Sequence, residues 1–394
     1  MTVPSTELQE RLTRLQVELS RNEIDAAIFV QSVDLFYLTG TAQQSHLIVP
    51  SAGEPLLLVR RDPARARAES PLGRLRSFQS LRDLPASLAD LGIPAGARLA
   101  FELDVLPVAH LRRYEQLFPK AEIVDCGSII RNLRAVKSAW ETAQLREAGL
   151  QAKTAFEAAA RALKAGITES ELASVIVASL VKNGHPGLLR MRGLNQEMPL
   201  AHVFAGPDAG IASYSDTPLA GTGHTPAIPQ GASHRPIQKG EAVVIDIGGC
   251  VGGYIVDQSR TLSVGPLDQE LRQAYDVCSA IHRGILATAR PGVTCGEIYE
   301  DAVRHAVEAG YGGGFMGAAP SQVSFVGHGV GLEVDELPIL GRGWDMPLVA
   351  GHVVAIEPKI RLPEWGAVGV EDTCLVTEGG LEVLTHGDPG VWEV

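Results

Sequence analysis

The chain has 394 residues, of which 45% are hydrophobic and 20% charged, so it is too long for one ordinary domain and is not a disordered, collagen-like or coiled-coil chain. Its net charge of −12, from 34 basic and 46 acidic residues, argues against broad nucleic-acid binding, which requires clustered cations. There is no apolar run of about 18 residues, no signal-peptide pattern and no CxxC pair among the five cysteines, so we expect a cytoplasmic protein without a membrane span.

Residues 1–131 are predicted to form a compact α/β domain. Its first helix has four leucines on one face between positions 8 and 19, and Thr6 and Gln9 have the spacing of a capping box. The segments DAAIFV, FYLTG, SHLIVPSAG and EPLLLV follow, and each is predicted as a short strand because turn residues interrupt the apolar runs.

Residues 132–394 are predicted to form a second, C-terminal domain. The segment from Arg131 to Ser138 is interpreted as the linker to it. A long Ala-rich helix is then predicted from Ser138, because Glu141 lies three residues on and completes a capping box.

An internal repeat divides this second domain. Residues 166–184 and 292–310 share a glycine, an N-capping Thr, a capping-box Glu, a helix and a C-terminal glycine. Part of this likeness is common to any capped helix, but each copy also follows a long helix and precedes a strand-rich stretch. We therefore predict an α+β domain of two pseudo-symmetric halves, with one sheet under a layer of helices.

Four strand-like apolar runs in this domain each contain one carboxylate. The four residues are Asp246, Asp257, Glu357 and Glu371. A buried carboxylate is very costly unless it is paired or bound to a metal. Few cations accompany the four in the sequence, the exceptions being Lys359, Arg260 and Arg361.

Metal ions would resolve this charge problem. Two divalent ions balance four carboxylates, and one added imidazole gives the ligand set of a dinuclear site. His328 is the best candidate because Gly327 and Gly329 flank it and let backbone and ligand approach closely. A lone histidine is otherwise more often an ordinary core or surface residue.

This set of residues resembles the metallopeptidases of the creatinase and prolidase type, which include methionine aminopeptidase and have the pita-bread fold. That family has two Asp eleven apart, a His in a GHGxG setting and two Glu fourteen apart, as at Asp246, Asp257, His328, Glu357 and Glu371. The DQSRT and IEP segments match as well. The N-terminal segment LTRLQVELSRNEIDAAIFVQSVDLFYLTG and the junction LRAVKSAWETAQLREA also resemble the two-domain members, so the likeness covers nearly the whole chain.

The resemblance implies a peptidase that hydrolyses the N-terminal Xaa-Pro bond of dipeptides or short peptides through a metal-bridging water or hydroxide. It implies that His328 and Glu357 bind one ion, that Asp246 chelates the other, and that Asp257 and Glu371 bridge both. Glu357 would also be the proton shuttle. The two ions would be Mn, Co, Zn or Fe, and the family habit is a homodimer.

The sequence departs from the family at the second histidine of the pattern GHGxGLxxHExP. This chain reads GHGVGLEVDELP, so Asp335 stands where that substrate-contacting histidine is expected. Asp335 either pairs with a neighbouring Arg or selects substrates with a positive group, because an ionised Asp only accepts hydrogen bonds.

A second departure lies ahead of Asp246, where the family often has a histidine and this chain has Gln230. His234 is a candidate to replace it, and His202 and His224 lie further upstream. We interpret these three histidines mainly as surface or supporting residues, and the segment 202–229 as a loop. Arg260 is, with His234 and Asp335, a candidate substrate contact.

Two other functions remain open at this point. One is a metal-dependent hydrolase or lyase of a small non-peptide molecule, which the missing histidine favours. The other is a catalytically silent binding protein on the same fold, which the retention of all five ligand positions disfavours.

Overall fold

Two compact units make up the chain in a computed structural model that describes residues 2–394. They are Met1–Arg134 and Ala135–Val394. The predicted linker from Arg131 is wrong over its first part, because a helix, Gly127–Ala135, runs through it. The next helix begins after Ser138, whose side chain forms the predicted capping box with Glu141.

The N-terminal unit is a six-stranded mixed sheet with helices. Its strands are β1 (Ala26–Phe29), β2 (Ser45–Pro50), β3 (Leu56–Val59), β4 (Leu75–Ser77), β5 (Arg98–Phe101) and β6 (Glu122–Asp125), in the spatial order β4-β3-β2-β1-β5-β6. Its helices are α1 (Ser5–Arg21), α2 (Ser32–Thr39), α3 (Pro63–Glu69), α4 (Leu84–Asp90), α5 (Val108–Leu117) and α6 (Gly127–Ala135). This arrangement agrees with the predicted α/β class.

Two local predictions in this unit are wrong. The segment FYLTG is not a strand but the end of α2, which the side chain of Gln31 caps by accepting from the backbone N–H groups of Val33 and Asp34. The predicted Thr6–Gln9 capping box does not form, because α1 begins after Pro4 without a side-chain cap. The predicted apolar face of α1 is confirmed, since its four leucines are buried.

The C-terminal unit contains the remaining helices and strands. Its helices are α7 (Ala139–Ala162), α8 (Glu169–Lys182), α9 (Gln269–Thr288) and α10 (Cys295–Glu308). Its strands are β7 (Ala201–Ala205), β8 (Val243–Val251), β9 (Tyr254–Ser263), β10 (Phe325–Gly329), β11 (Glu336–Gly341), β12 (Val353–Ile356), β13 (Lys359–Leu362), β14 (Gly366–Gly369), β15 (Asp372–Thr377), β16 (Gly380–Val383) and β17 (Trp392–Glu393).

These elements form two halves of the same design. The first has α7 and α8 with the sheet β17-β9-β8-β7, and the second has α9 and α10 with the sheet β11-β10-β12-β15-β16. Thr168 and Thr294 cap α8 and α10 through equivalent capping boxes. All strand pairs of this unit are antiparallel except β17 with β9. The predicted α+β class and internal repeat are therefore confirmed.

Each unit has its own apolar core. In the second half of the C-terminal unit, α9 and α10 pack against the strands around a large buried cluster that includes Cys278, Tyr299 and Val354. All five cysteines are buried and unbridged. Among residues 2–394, the structure has no helix with the length and apolar character needed to span a bilayer.

The N-terminal unit also buries a small group of charges. Asp34 is fully buried and pairs with Arg134 at 2.7 Å. The Glu102 carboxylate, also fully buried, accepts hydrogen bonds from the backbone N–H groups of Val30, at 2.8 Å, and Gln31. Burial, followed by the neighbouring charge of Asp34, raises the pKa of Glu102 well above its usual range.

We expect Glu102→Gln to flatten the pH dependence of stability. The pKa of Glu in an unfolded chain is about 4.3, which is lower than the pKa of Glu102 in the folded protein. The contribution of Glu102 to folding stability is therefore complete below about pH 4, and it is lost as the pH rises towards the folded-state pKa. The glutamine cannot lose a proton. Thermal midpoints measured from about pH 5 to about pH 8 should therefore fall less in this variant than in the wild type. The exposed Glu122→Gln serves as the control, and equal slopes in all three proteins would contradict the prediction.

Candidate metal centre

The hairpin of β8 and β9 places two carboxylates on one face of its sheet. Asp246 lies opposite Ser259, and Asp257 lies opposite Gly248. Residues directly opposite each other, and residues two apart on a strand, share a face. Asp246 and Asp257 are therefore diagonal neighbours, which is why a separation of eleven residues across a tight turn brings them together.

The second half contributes the other three predicted ligands. His328 lies on β10, next to Ala355 of β12, and Glu357 follows β12 directly. Glu371 immediately precedes β15, and its backbone N–H donates to the carbonyl of Ser259 on β9 at 3.1 Å. This hydrogen bond connects the two halves at the site.

The structure brings all five predicted ligands into one cluster. Ligand atoms of Asp257, His328 and Glu371 lie within 4.8 Å of one another. The His328 Nε2 atom is 3.5 Å from Glu357 Oε1 and 4.0 Å from Asp257 Oδ2. Asp246 and Glu357 join the cluster through the ammonium group of Lys359, which lies 2.9 and 2.7 Å from their carboxylates.

Burial and mutual repulsion shift the titration of these groups. Burial, and then the charges of Glu371 and Asp246, raise the pKa of Asp257 well above its usual range. Burial also raises the pKa of Glu371, although Lys359 opposes this shift. Burial alone would raise the pKa of Asp246, but the charge of Lys359 helps to bring it below its usual value. The cluster therefore has excess negative charge.

The side chains fit a divalent ion. Among the described residues, the buried Oε1 atom of Glu371 has no hydrogen-bond partner. The Nδ1 atom of His328 lies 3.1 Å from the carbonyl oxygen of Gly329, to which it donates in the neutral tautomer. That tautomer leaves Nε2 with a lone pair facing the carboxylates, which is the arrangement that metal-ligating histidines adopt.

Lys359 is the residue of the cluster that the sequence did not assign. Its Nζ atom also bonds Glu371 Oε2 at 3.0 Å, so it contacts three of the four carboxylates. Burial lowers its pKa, but the three carboxylates outweigh this and raise the pKa well above its usual value. A signal was present in the sequence, because Lys359 follows Glu357 by two residues in extended chain and so points to the same side.

The sequence suggested that Arg260 contacts the substrate, but the structure buries its side chain inside the protein. It is only 1% exposed, and its guanidinium donates to the carbonyl of Glu371 at 2.6 Å and to the carboxylate of Asp372 at 2.7 Å. The guanidinium N–H groups therefore donate to acceptors within the protein rather than to a substrate. Arg260 therefore positions the backbone of Glu371.

Asp335 lies near the cluster. It accepts a hydrogen bond from the backbone N–H of Arg192 at 3.1 Å. Burial raises the pKa of Asp335, and this backbone bond and the charge of His328 oppose the shift.

The upstream histidines have different surroundings. His234 is exposed, and its Nε2 atom lies 3.2 Å from the Nδ1 atom of His224, so its role as a substrate contact stays a prediction. His202 was expected in a loop, but it lies on β7 opposite Asp246 and is buried. Burial lowers its pKa to about 4, so it is neutral at pH 7. The Gly- and Ser-rich sequence around β7 concealed this strand.

Comparison with known families gives two matches that together span most of the chain. Residues 143–378 match metallopeptidase family M24, and residues 11–136 match the creatinase/prolidase N-terminal domain. The Xaa-Pro dipeptidase of Pyrococcus furiosus is 28% identical over 383 residues, which cover 96% of this chain and 98% of that protein. The probable dipeptidase PepE of Mycobacterium tuberculosis is 30% identical over 368 residues, covering 90% and 88%.

Solved structures agree with these matches. The dipeptidase PepE from Mycobacterium ulcerans superposes with a TM-score of 0.82 at 27% identity, and the superposition covers 100% of both chains. The Xaa-Pro dipeptidase from Bacillus anthracis gives a TM-score of 0.83 at 24% identity, covering 98% of this chain and 100% of that one. The expected pita-bread fold, with a creatinase-type N-terminal domain, is thereby confirmed.

We expect Asp257→Asn to weaken metal binding strongly while the protein stays folded. The amide keeps the size of the carboxylate but removes the charge that attracts a cation. Loss of a residue that only supports a ligand costs about 10–100-fold in metal affinity, and loss of a ligand itself should cost at least as much. Isothermal titration with Mn²⁺ measures the change. The same substitution at the exposed Asp301 is the control, and unchanged affinity in folded Asp257→Asn would remove this residue from the ligand set.

Proposed function

Because the chain belongs to metallopeptidase family M24, we propose that it hydrolyses the N-terminal Xaa-Pro bond of dipeptides or short peptides in a metal-dependent reaction. The observation that carries this proposal is a cluster in which Asp257, Glu357 and Glu371 are buried and Asp246 and His328 are half-buried. The Xaa-Pro dipeptidases among its relatives, which it matches along nearly their whole length, support the choice of substrate.

Four of the five residues of the cluster have a direct role in this proposal. Asp257, His328 and Glu371 hold a divalent ion, which, when bound, polarises a carbonyl and lowers the pKa of a water molecule. Glu357 accepts the proton of the attacking water and donates it to the leaving amine, because its Oε1 atom faces His328 while Lys359 holds its Oε2 atom. His202 is neutral beside Asp246 and so adds no positive charge there.

Several finer features remain predictions. The resemblance implies two divalent ions, chosen among Mn, Co, Zn and Fe, and also a homodimer and a cytoplasmic location. Four carboxylates and one imidazole suit any of these metals, so their availability decides which one is bound.

A second candidate function is a hydrolase or lyase reaction on a small non-peptide molecule at the same centre. Asp335 favours it, because a half-buried carboxylate replaces a histidine that would donate to a substrate oxygen. The same metal ligands would serve either reaction, so only substrates distinguish the two.

The test of the proposed function is a panel of Xaa-Pro dipeptides, longer Xaa-Pro peptides and matched Xaa-Ala dipeptides. We expect hydrolysis of the Xaa-Pro dipeptides, loss of activity with EDTA, and recovery when Mn²⁺ or Co²⁺ is added. Glu357→Gln should lower kcat by about 10²–10⁴-fold, because it removes general acid–base catalysis.

The exposed Glu378→Gln is the matched control for this variant and should keep its activity. Near-normal turnover in metal-loaded Glu357→Gln would contradict the proton-shuttle role. A metal-loaded wild type that cleaves none of the peptides would favour the non-peptide alternative.

We expect Asp335→His to shift selectivity from cationic towards neutral N-terminal residues. The ionised Asp attracts a positive group, whereas the imidazole donates to a substrate oxygen. The ratio of kcat/KM for Ala-Pro over Lys-Pro should rise about tenfold, which corresponds to about 1.4 kcal/mol. The control is Asp345→His on the exposed surface. A ratio that stays constant while the thermal midpoint falls would show that Asp335 only anchors the backbone of Arg192.

A further inference from the structure

The side chain of Lys359 occupies the interior of the carboxylate cluster. Its Nζ atom lies 2.9 Å from Asp246 Oδ2, 2.7 Å from Glu357 Oε2 and 3.0 Å from Glu371 Oε2. The side chain is only 3% exposed. These three contacts are short, charge-assisted hydrogen bonds, and they use all three donors of the ammonium group.

The backbone is built to hold Lys359 in this place. Lys359 begins β13 and lies directly opposite Gly369 of β14. A Cβ atom on Gly369 would lie 2.5 Å from Lys359 Cγ, which is closer than real side chains approach. The stem of Lys359 therefore fills the space that a side chain at position 369 would need.

The ammonium group and a second divalent ion compete for the same oxygens. A metal such as Zn²⁺ binds carboxylate oxygen at about 2.0–2.2 Å, whereas an ammonium nitrogen lies at about 2.7–2.9 Å. An ion held by the three oxygens that Lys359 contacts would overlap its Nζ atom or lie beside it. Two positive charges in a buried site repel strongly. Lys359 and an ion at this position are therefore mutually exclusive.

A separate place for one ion remains on the other side of Glu371. Glu371 gives its Oε2 atom to Lys359, and its Oε1 atom has no hydrogen-bond partner in the described part of the chain. Asp257 and His328 complete a group of ligand atoms within 4.8 Å of one another. Glu371, which the resemblance predicts to bridge two ions, thus has one oxygen bonded to the ammonium group of Lys359 and the other available to a metal ion.

We propose that Lys359 replaces one of the two divalent ions, so that this chain binds a single ion at Asp257, His328 and Glu371. The inference rests on the proposed metal-dependent function and changes the number of bound ions from two to one per chain. Asp246 and Glu357 are then held by a cation that belongs to the protein. One equivalent of metal suffices for full activity.

Metal counting tests this proposal in the intact chain. Protein saturated with Mn²⁺ and dialysed should contain one ion per wild-type chain by elemental analysis, with the same stoichiometry by isothermal titration. Its electron paramagnetic resonance spectrum should be that of an isolated Mn²⁺ ion. Lys359→Ala removes the competing charge and opens space, so this variant should bind two ions and give the spectrum of a coupled pair.

The control is Lys137→Ala, which removes another buried lysine, paired with Glu336 at 3.0 Å, and should leave the count at one. A second readout is the thermal midpoint in EDTA. It should fall in Lys359→Ala, where three carboxylates lose their counter-charge, and added Mn²⁺ should raise it more in this variant than in the wild type.

Three outcomes would overturn the inference. Two ions in an active wild type would reject it and leave the proposed function intact. One ion in folded Lys359→Ala would show that Lys359 does not set the count. A wild type that binds no ion would reject the metal-dependent function and the inference together. If Lys359→Ala does not fold, the wild-type count and spectrum still decide.

Discussion

Four carboxylates that lie together inside the C-terminal unit are the constraint on which the rest of this site depends. Moving each ionised carboxylate out of water costs several kcal/mol, so the surrounding protein must supply positive charge or protons. Lys359 supplies one charge in the middle of the cluster. Burial, and then the repulsion between carboxylates that this single charge does not neutralise, raise the pKa values of Asp257 and Glu371. The remaining imbalance is what draws a divalent ion to this place.

The backbone satisfies this constraint through two short antiparallel connections and close approaches at glycines. The β8–β9 hairpin puts Asp246 and Asp257 on one face, and the bond from Glu371 to Ser259 joins the second half of the unit to that hairpin. Gly327 lies where a Cβ atom would be 2.3 Å from the carbonyl of Ala355, so only glycine lets β10 carry its histidine so close to β12. The two halves thus build one site from equivalent capped helices and sheets, and neither half contains all the ligands.

The sequence predicted the parts of this site that depend on local pattern. Hairpin spacing, strand alternation and capping boxes need only neighbouring residues, so the α+β halves and the grouping of Asp246 with Asp257 followed from them. Long-range packing decided the rest. FYLTG has strand-like residues, yet the Gln31 cap makes it helical. Arg260 lies in a family motif, yet its guanidinium turns inward to Asp372, and the partners of Lys359 lie 12 and 113 residues away as well as two.

An internal cation also changes how metal binding is coupled to folding. A structural metal site forms only when the ion arrives, because its ligands repel one another without it, and the binding free energy is then folding free energy. Here Lys359 pairs with three carboxylates and so reduces their mutual repulsion before any ion is present. The strands can therefore form around the cluster without metal. An entering ion then meets ligands whose geometry is already set, so its binding free energy remains available for catalysis rather than for holding the fold together.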